Sequence, residues 1–126
     1  MNKVYLAGGF RTNWQQEVKD HFIYEQFQWL DPKQTGLTIP LEYTTWDLFH
    51  IKQADIVFVY IEKANPGIGL AAEIGYAKAL GKVIITVFEK DRDNIPDKYY
   101  HMLLAMSDRW YNNLKEGIDF LSTFIQ

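Results

Sequence analysis

The sequence contains no cysteine, which excludes disulfides, thiolate metal centres and cysteine nucleophiles. It has no apolar run long enough to span a bilayer and no secretory leader pattern, so no membrane partner and a cytoplasmic location are expected. It also lacks a basic excess: 13 Lys and Arg stand against 16 Asp and Glu, a formal charge of −3. Nucleic acid is bound largely by neutralising phosphates, so a nucleic-acid partner is not expected. The three histidines, His21, His50 and His101, are scattered without the spacing of a metal set, and no metal is expected. "GGF" and "PGIG" do not complete a GxGxxG fingerprint, and no lysine followed by serine or threonine completes a P-loop. Ser107 and Asp108 adjoin, but no histidine at a fixed partner spacing makes a hydrolase triad of them.

What is present suits one domain over residues 1–126 with a single core, at 48% apolar and 16% aromatic residues. "VYLAG" (4–8), "DIVFVYI" (55–61) and "KVIITVF" (82–88) are continuous apolar runs, as expected of strands buried on both faces of a parallel sheet. "FQWL" and "DRWY" are shorter candidates. Helices are expected over 14–27, with Asn13 as cap, and from Thr44 or Thr45 through "WDLFHIKQA", with Trp46, Phe49 and Ile51 as apolar anchors. Others are expected after "NPGIG" up to Gly81, over 97–106 after Pro96, and in "NLKEGIDFLSTFI", where Leu114, Ile118, Leu121 and Ile125 fall in register. Residues 31–45 read as a long connection of the kind that covers a ligand site. Asp55 reads as a structural strand-start residue.

Strand alternating with helix predicts a three-layer, doubly wound α/β domain of flavodoxin-like type with about five mostly parallel strands. In such sheets ligands lie beyond the carboxyl ends of the strands, where strand order reverses. "GGFR" and "EKANPGIG", the loops after the first and third strands, then share one crevice.

One residue beside that crevice is out of place. On a helical wheel of about 100° per residue, Leu70, Ile74, Ala77 and Leu80 form an apolar stripe, and Glu73 falls inside it. A glutamate rarely faces a core unless it is paired, hydrogen-bonded or used. One reading has it at the stripe's edge, reaching solvent and pairing with Lys78. The other has it near the helix N-terminus, where the dipole favours an anion, as a nucleophile, a general base or a ligand anchor.

"VYLAGGF", "WDLFHIKQADIVFVYI" and "GIGLAAEIGYAKALGK" resemble the nucleoside 2-deoxyribosyltransferase family, including its relatives that hydrolyse 2′-deoxynucleoside 5′-monophosphates. The resemblance runs from Val4 to about Asp108 and is weakest over 12–42. It implies that Glu73 is the nucleophile attacking the anomeric carbon, that Asp47 handles the leaving base's proton, and that Tyr5 orients the Glu73 carboxylate. It implies that Gly8 and Gly9 let sugar and base approach the backbone, and that Gly67 and Gly69 shape the turn before the nucleophile helix. Met102 aligns with a methionine supplied by a neighbouring subunit, and Tyr100 with it points to a site completed by another chain, hence a homo-oligomer. No cofactor is implied, and the partner is a small nucleoside or nucleotide.

The pattern departs from the base-exchanging enzymes in lacking their acidic base-contacting residue, leaving Asn65 or Glu62 as polar candidates, and in lacking a C-terminal carboxylate. Arg11 falls where the nucleotide-hydrolysing relatives hold the 5′-phosphate, but "TNW" replaces their small residues. Arg11 reads equally as a phosphate clamp and as a surface arginine. Phe10, after the glycines, could stack on a base. Transfer to a second base and transfer to water both remain open. The alternative function is a non-catalytic nucleotide-binding module on the same scaffold; a flavodoxin-like redox or signalling domain is the third reading.

Overall fold

The computed structural model describes residues 1–62, 67–89 and 97–126. The chain runs β1 (Lys3–Gly8), α1 (Trp14–His21), β2 (Gln28–Leu30), α2 (Pro40–Gln53), β3 (Ile56–Ile61), α3 (Ile68–Ala79), β4 (Val83–Phe88), α4 (His101–Met106), β5 (Arg109–Tyr111) and α5 (Leu114–Ser122). Short 3₁₀ turns at Pro32–Gln34 and Asp97–Tyr100 precede α2 and α4. The strands form one sheet in the order β2-β1-β3-β4-β5, and every pairing is parallel. The three apolar runs therefore occupy the centre of the sheet, where residues alternate between two covered faces.

Each face has its own core. Tyr5, Ala7, Val57, Val59 and Ile61 pack with Ile51, Leu70, Ile74 and Ala77, under α2, α3 and α4. Val4, Leu6, Ile56, Phe58, Ile85 and Val87 pack with Trp14, Val18, Ile118 and Leu121, under α1 and α5. That division follows from strand order. The connection from β2 to β3 must pass over β1, so α2 lies across it, while α1 leads the other way and covers the opposite face.

Several boundaries differ from those the sequence predicts. The first helix stops at His21, not Phe27, and Ile23 is exposed. Phe22, Phe27 and Trp29 gather instead as an aromatic cluster with centroids 5.2–5.7 Å apart, which draws the segment out of helix and into β2. The second helix starts at Pro40, before the predicted threonine caps, because proline's fixed φ suits a first helical position. Thr45 lies inside it and bonds back to the Leu41 carbonyl at 2.7 Å. Phe49, expected as an anchor, is 59% exposed, whereas Ile51 is fully buried and Trp46 partly so. Leu80 lies at the end of the apolar stripe and is 39% exposed. There α3 closes in a Schellman turn: Gly81 takes a φ of 73°, its N–H donates to Lys78, and the N–H of Lys82 donates to Ala77. Ile125 lies beyond the end of α5.

Two aspartates tie strand starts together in the same way. The Lys3 N–H donates to the Asp55 carboxylate at 2.8 Å and the Asp55 N–H to the Lys3 carbonyl, so Asp55 is structural. Asp108 does the same for Ile84, and Ser107 bonds Thr86 at 2.6 Å. This accounts for the Ser107–Asp108 pair without chemistry. Among the described residues, no helix is long and apolar enough to cross a membrane.

Helix α5 approaches the sheet closely at Gly117, where a Cβ would stand 2.5 Å from Val87 Cγ2 and 3.3 Å from the Phe58 ring. Gly117→Ala is expected to lower stability by about 1–3 kcal/mol despite alanine's better helix propensity, because the core on that face is overpacked. Thermal and urea denaturation check it; a variant as stable as wild type would show that α5 docks less tightly.

Candidate active site

Three of the candidate residues meet over β1. Tyr5 sits in mid-strand with its side chain on the face covered by α2 and α3, and is fully buried. Its hydroxyl donates to Glu73 Oε2 at 2.5 Å and also interacts with Asp47. Residues from β1, α2 and α3 thus converge on one phenolic oxygen. Glu73 does not swing to the edge of the stripe to pair with Lys78; it stays in the apolar face and is satisfied there.

Electrostatics in this cluster are governed by loss of water. Burial, opposed by the Tyr5 hydrogen bond and reinforced by Asp47, pushes the Glu73 carboxyl up from 4.5 to about 7. Asp47 is also raised, chiefly by burial, with Tyr5 and His50 pulling the other way. Burial first, then the two carboxylates, hold Tyr5 protonated well above the ordinary phenol range. The expectation that the helix N-terminus keeps Glu73 ionised needs correction. Glu73 is the sixth residue of α3, past the first turn where the dipole acts, and desolvation outweighs it. The Tyr5 hydroxyl, rather than the helix end, favours the anion.

The remaining candidates are spread around this cluster. Gly67, at a φ of 60°, caps α3 in the left-handed region, where glycine is favoured. At Gly69 a side chain would project into open space. Gly8 is required by the chain itself, since a Cβ there would lie 2.5 Å from the Tyr60 carbonyl oxygen and 2.8 Å from the Trp14 ring; at Gly9 a Cβ would lie 2.7 Å from the Glu62 carboxyl, the movable end of a side chain. Phe10 is 53% exposed on the following loop. Arg11, also exposed, lines a cavity of about 320 Å³ with Thr12, Tyr60, Glu62 and Glu89. Met102 projects from α4 and is 73% exposed, but Tyr100 is buried against Phe88 with centroids 4.5 Å apart. Tyr100 is thus part of its own chain's core and cannot complete a neighbour's site. Asn65 lies outside the described residues.

Two features escaped sequence reasoning. A cavity of about 530 Å³ opens beside α2, walled by Trp29, Asp31, Gln34, Trp46 and His50 among others. Its walls include the residue before Asp47 and one a turn beyond. His50 stacks on Trp46 at 3.7 Å and its Nδ1 meets the Trp46 carbonyl at 2.8 Å. Asp31, buried, anchors the cavity rim through Lys19 at 2.7 Å and the Lys33 N–H. The second feature is the burial of Glu62, which the sequence offers only as a polar candidate: it is 6% exposed, and its Oε1 has no hydrogen-bond partner among the described residues. A glutamate immediately after a strand gives no sequence sign that the loop after β1 will fold over it. Among the described residues, no group of three or more His, Asp or Glu is arranged to hold a metal.

A carboxyl buried beside a phenol and a second carboxyl, and held above its ordinary range, is of the kind that clusters at functional sites. Residues 1–90 match the family described as "Nucleoside 2-deoxyribosyltransferase like", and the chain belongs to that family. No curated protein matches the sequence. Among solved structures, the chain is similar to a 2-desoxiribosyltransferase from Leishmania mexicana, at 18% identity and a TM-score of 0.76 over 98% of this chain and 99% of the other. It is similar to a 2-deoxyribosyltransferase from Bacillus psychrosaccharolyticus, at 23% identity and 0.68 over 98% and 97%. It is also similar to a CMP N-glycosidase from Clostridium botulinum, at 20% identity and 0.61 over 98% and 99%. At these identities the likeness establishes the fold.

Because Glu73 is raised from 4.5 to about 7, the fold favours its neutral form. Its contribution to stability is full below about pH 4.5 and is lost as pH rises through about 7. Glu73→Gln, which keeps an acceptor for Tyr5 and cannot ionise, is expected to be more stable than wild type at pH 8 by about 1–3 kcal/mol and nearly equal at pH 4.5. Denaturant titrations at the two pH values test this; equal stability at pH 8 would show that Glu73 is not desolvated.

Proposed function

We propose that this protein cleaves the N-glycosidic bond of a 2′-deoxynucleoside or its 5′-monophosphate through a covalent intermediate on Glu73. The observation that carries the reading is the Tyr5–Glu73 hydrogen bond with Asp47 beside it. Tyr5 occupies Oε2 and fixes the carboxylate plane, leaving Oε1 to attack the anomeric carbon. As the Oε1–C1′ bond forms, the C1′–N bond breaks and its electron pair stays on the base nitrogen. Asp47, whose carboxyl is raised by burial against the pull of Tyr5 and His50, is the group beside Glu73 that supplies that proton. In the second half a new base or a water attacks C1′, its proton passes to Asp47, and the ester electrons return to the Glu73 carboxylate. Two displacements at one carbon retain configuration. A sugar without a 2-hydroxyl reaches the oxocarbenium-like state more readily, which suits a site whose main stabilising charge is one carboxylate.

Tyr5 stays protonated throughout, so its role is orientation and charge stabilisation. The exposed Met102, together with exposed Leu41 and Phe49 on α2, supports a homo-oligomer in which a second copy borders the site.

Glu73→Gln is expected to lower base release by about 10³-fold or more, and a 2-fluorinated 2-deoxynucleoside to leave a sugar adduct on wild-type Glu73 in intact mass spectra. Tight ligand binding without turnover or adduct would instead identify a binding module. Since the attacking form is ionised, kcat/KM is expected to fall about tenfold per pH unit below about 7, the value to which Glu73 is raised. In Tyr5→Phe this acidic limb should move to higher pH, because the hydrogen bond that lowers Glu73 is gone. A limb that stays in place would separate Tyr5 from the nucleophile.

A further inference from the structure

His50 lines the cavity beside α2 and has no part in the reaction proposed for Glu73 and Asp47. It follows Asp47 by three residues on α2, the spacing that makes two side chains neighbours on a helix surface. Its ring is held firmly on its own helix. It stacks on Trp46 with centroids 3.7 Å and planes 23° apart, and meets the Phe49 ring edge-on at 5.2 Å. Trp46 packs in turn against the core that contains Tyr5. Nδ1 lies 2.8 Å from the Trp46 carbonyl oxygen, which can only accept, so Nδ1 carries a hydrogen whether the ring is neutral or charged. The proton that comes and goes is therefore the one on Nε2, and the ring changes charge without changing place.

Among the described residues, the charged groups around the ring leave Asp47 as the carboxyl on which it acts. Lys19 and Asp31, which border the same cavity, are paired with each other at 2.7 Å and offset one another. Glu42 lies two turns back on α2 and is exposed. Tyr5 and Glu73 reach the cluster from β1 and α3, and Tyr5 bonds both carboxyls. Charge on His50 favours the anionic form of Asp47, whereas Glu73 is biased by burial, Tyr5 and Asp47. The two carboxyls are thus unequal neighbours of the imidazole.

We infer that His50 is a positioning residue for the proton of Asp47: fixed in place, it lets Asp47 keep that proton while it is neutral and draws negative charge onto Asp47 when it is protonated. The inference rests on Glu73 as nucleophile and Asp47 as acid. Cleavage needs the pair in one arrangement, Glu73 ionised and Asp47 protonated, so that the C1′–N electron pair leaves with a proton. A cation at position 50 favours the reverse, with the charge on Asp47 and the proton either lost or held by Glu73. Only the neutral ring leaves the reacting arrangement unopposed.

The test compares His50→Gln with His50→Arg. Glutamine keeps an N–H for the Trp46 carbonyl and stays neutral; arginine keeps an N–H, can stack on Trp46 and stays charged. kcat/KM for base release from 2′-deoxynucleosides and their 5′-monophosphates is followed against pH in both variants and in wild type. Where both carboxyls are ionised, the reacting form requires Asp47 to take up a proton, which the arginine opposes. At about pH 9, His50→Arg is therefore expected about tenfold below His50→Gln, with wild type following His50→Gln because histidine is neutral there. Where both carboxyls are protonated, the reacting form requires only that Glu73 lose its proton, so the two variants should converge at the acid end. A ring that merely packs α2 or shapes the cavity would separate them by the same factor at every pH. Such a constant factor, coincidence throughout, or complete loss in either variant would overturn the inference and leave the Glu73 reading intact. Base release by none of the three proteins, wild type included, would remove that reading, and this inference with it.

Discussion

The site depends on a single hydrogen bond from a strand to a helix, Tyr5 to Glu73. A carboxyl group moved from water into an apolar interface loses its solvation, and without a donor it would be held protonated or expelled to the surface. Tyr5 supplies that donor from inside the core, where its ring is fixed by β1 neighbours and by the helices above it. Placing the partner on a central strand gives the oxygen a position set by sheet register, which a loop residue would not have. The strand order completes the arrangement. Because β1 lies between β2 and β3, the β2-to-β3 connection must cross it, and this brings Asp47 on α2 to the same phenol.

Much of this was legible in the sequence, for reasons that can be traced. The apolar runs of β1, β3 and β4 identify strands buried on both faces, and alternation with helices then leaves few topologies. Glu73 stood out because helical periodicity places it among Leu70, Ile74 and Ala77, all of which are buried. Its ionisation is not legible in the same way, because position along a helix is readable from sequence and desolvation by a second helix is not. The ends of α1 and α2 were misplaced for a related reason. Phe22 fits a helical stripe locally, yet its aromatic partners Phe27 and Trp29 are found only once β2 forms.

Gly8 and Gly9 show how one sequence signal can carry two explanations. Glycines after a first strand suggest room for a ligand, but here the missing side chains make room for Trp14, the Tyr60 carbonyl and Glu62. The two explanations are compatible. Glu62 lies beneath the Gly9 turn and is buried there. Arg11 shares its cavity with Glu62 and Glu89, so its charge acts in the company of theirs.

Stability and reactivity at Glu73 are therefore set by the same quantity. The water-poor environment that raises the carboxyl to about 7 makes the ionised form costly in the resting fold, and on the proposed reading it strengthens that form's interaction with positive charge developing on a sugar carbon. A more hydrated Glu73 would burden the fold less and stabilise such a charge less. The Tyr5 hydroxyl balances the two demands: it lowers the carboxyl enough for an ionised fraction to exist near neutral pH, while occupying one oxygen and leaving the other free. Asp47 acts in the opposite sense, raising its neighbour while being raised itself by burial. On the proposed reading, two carboxyls in one desolvated cluster, biased differently by a shared phenol and by His50, take separate roles as nucleophile and acid.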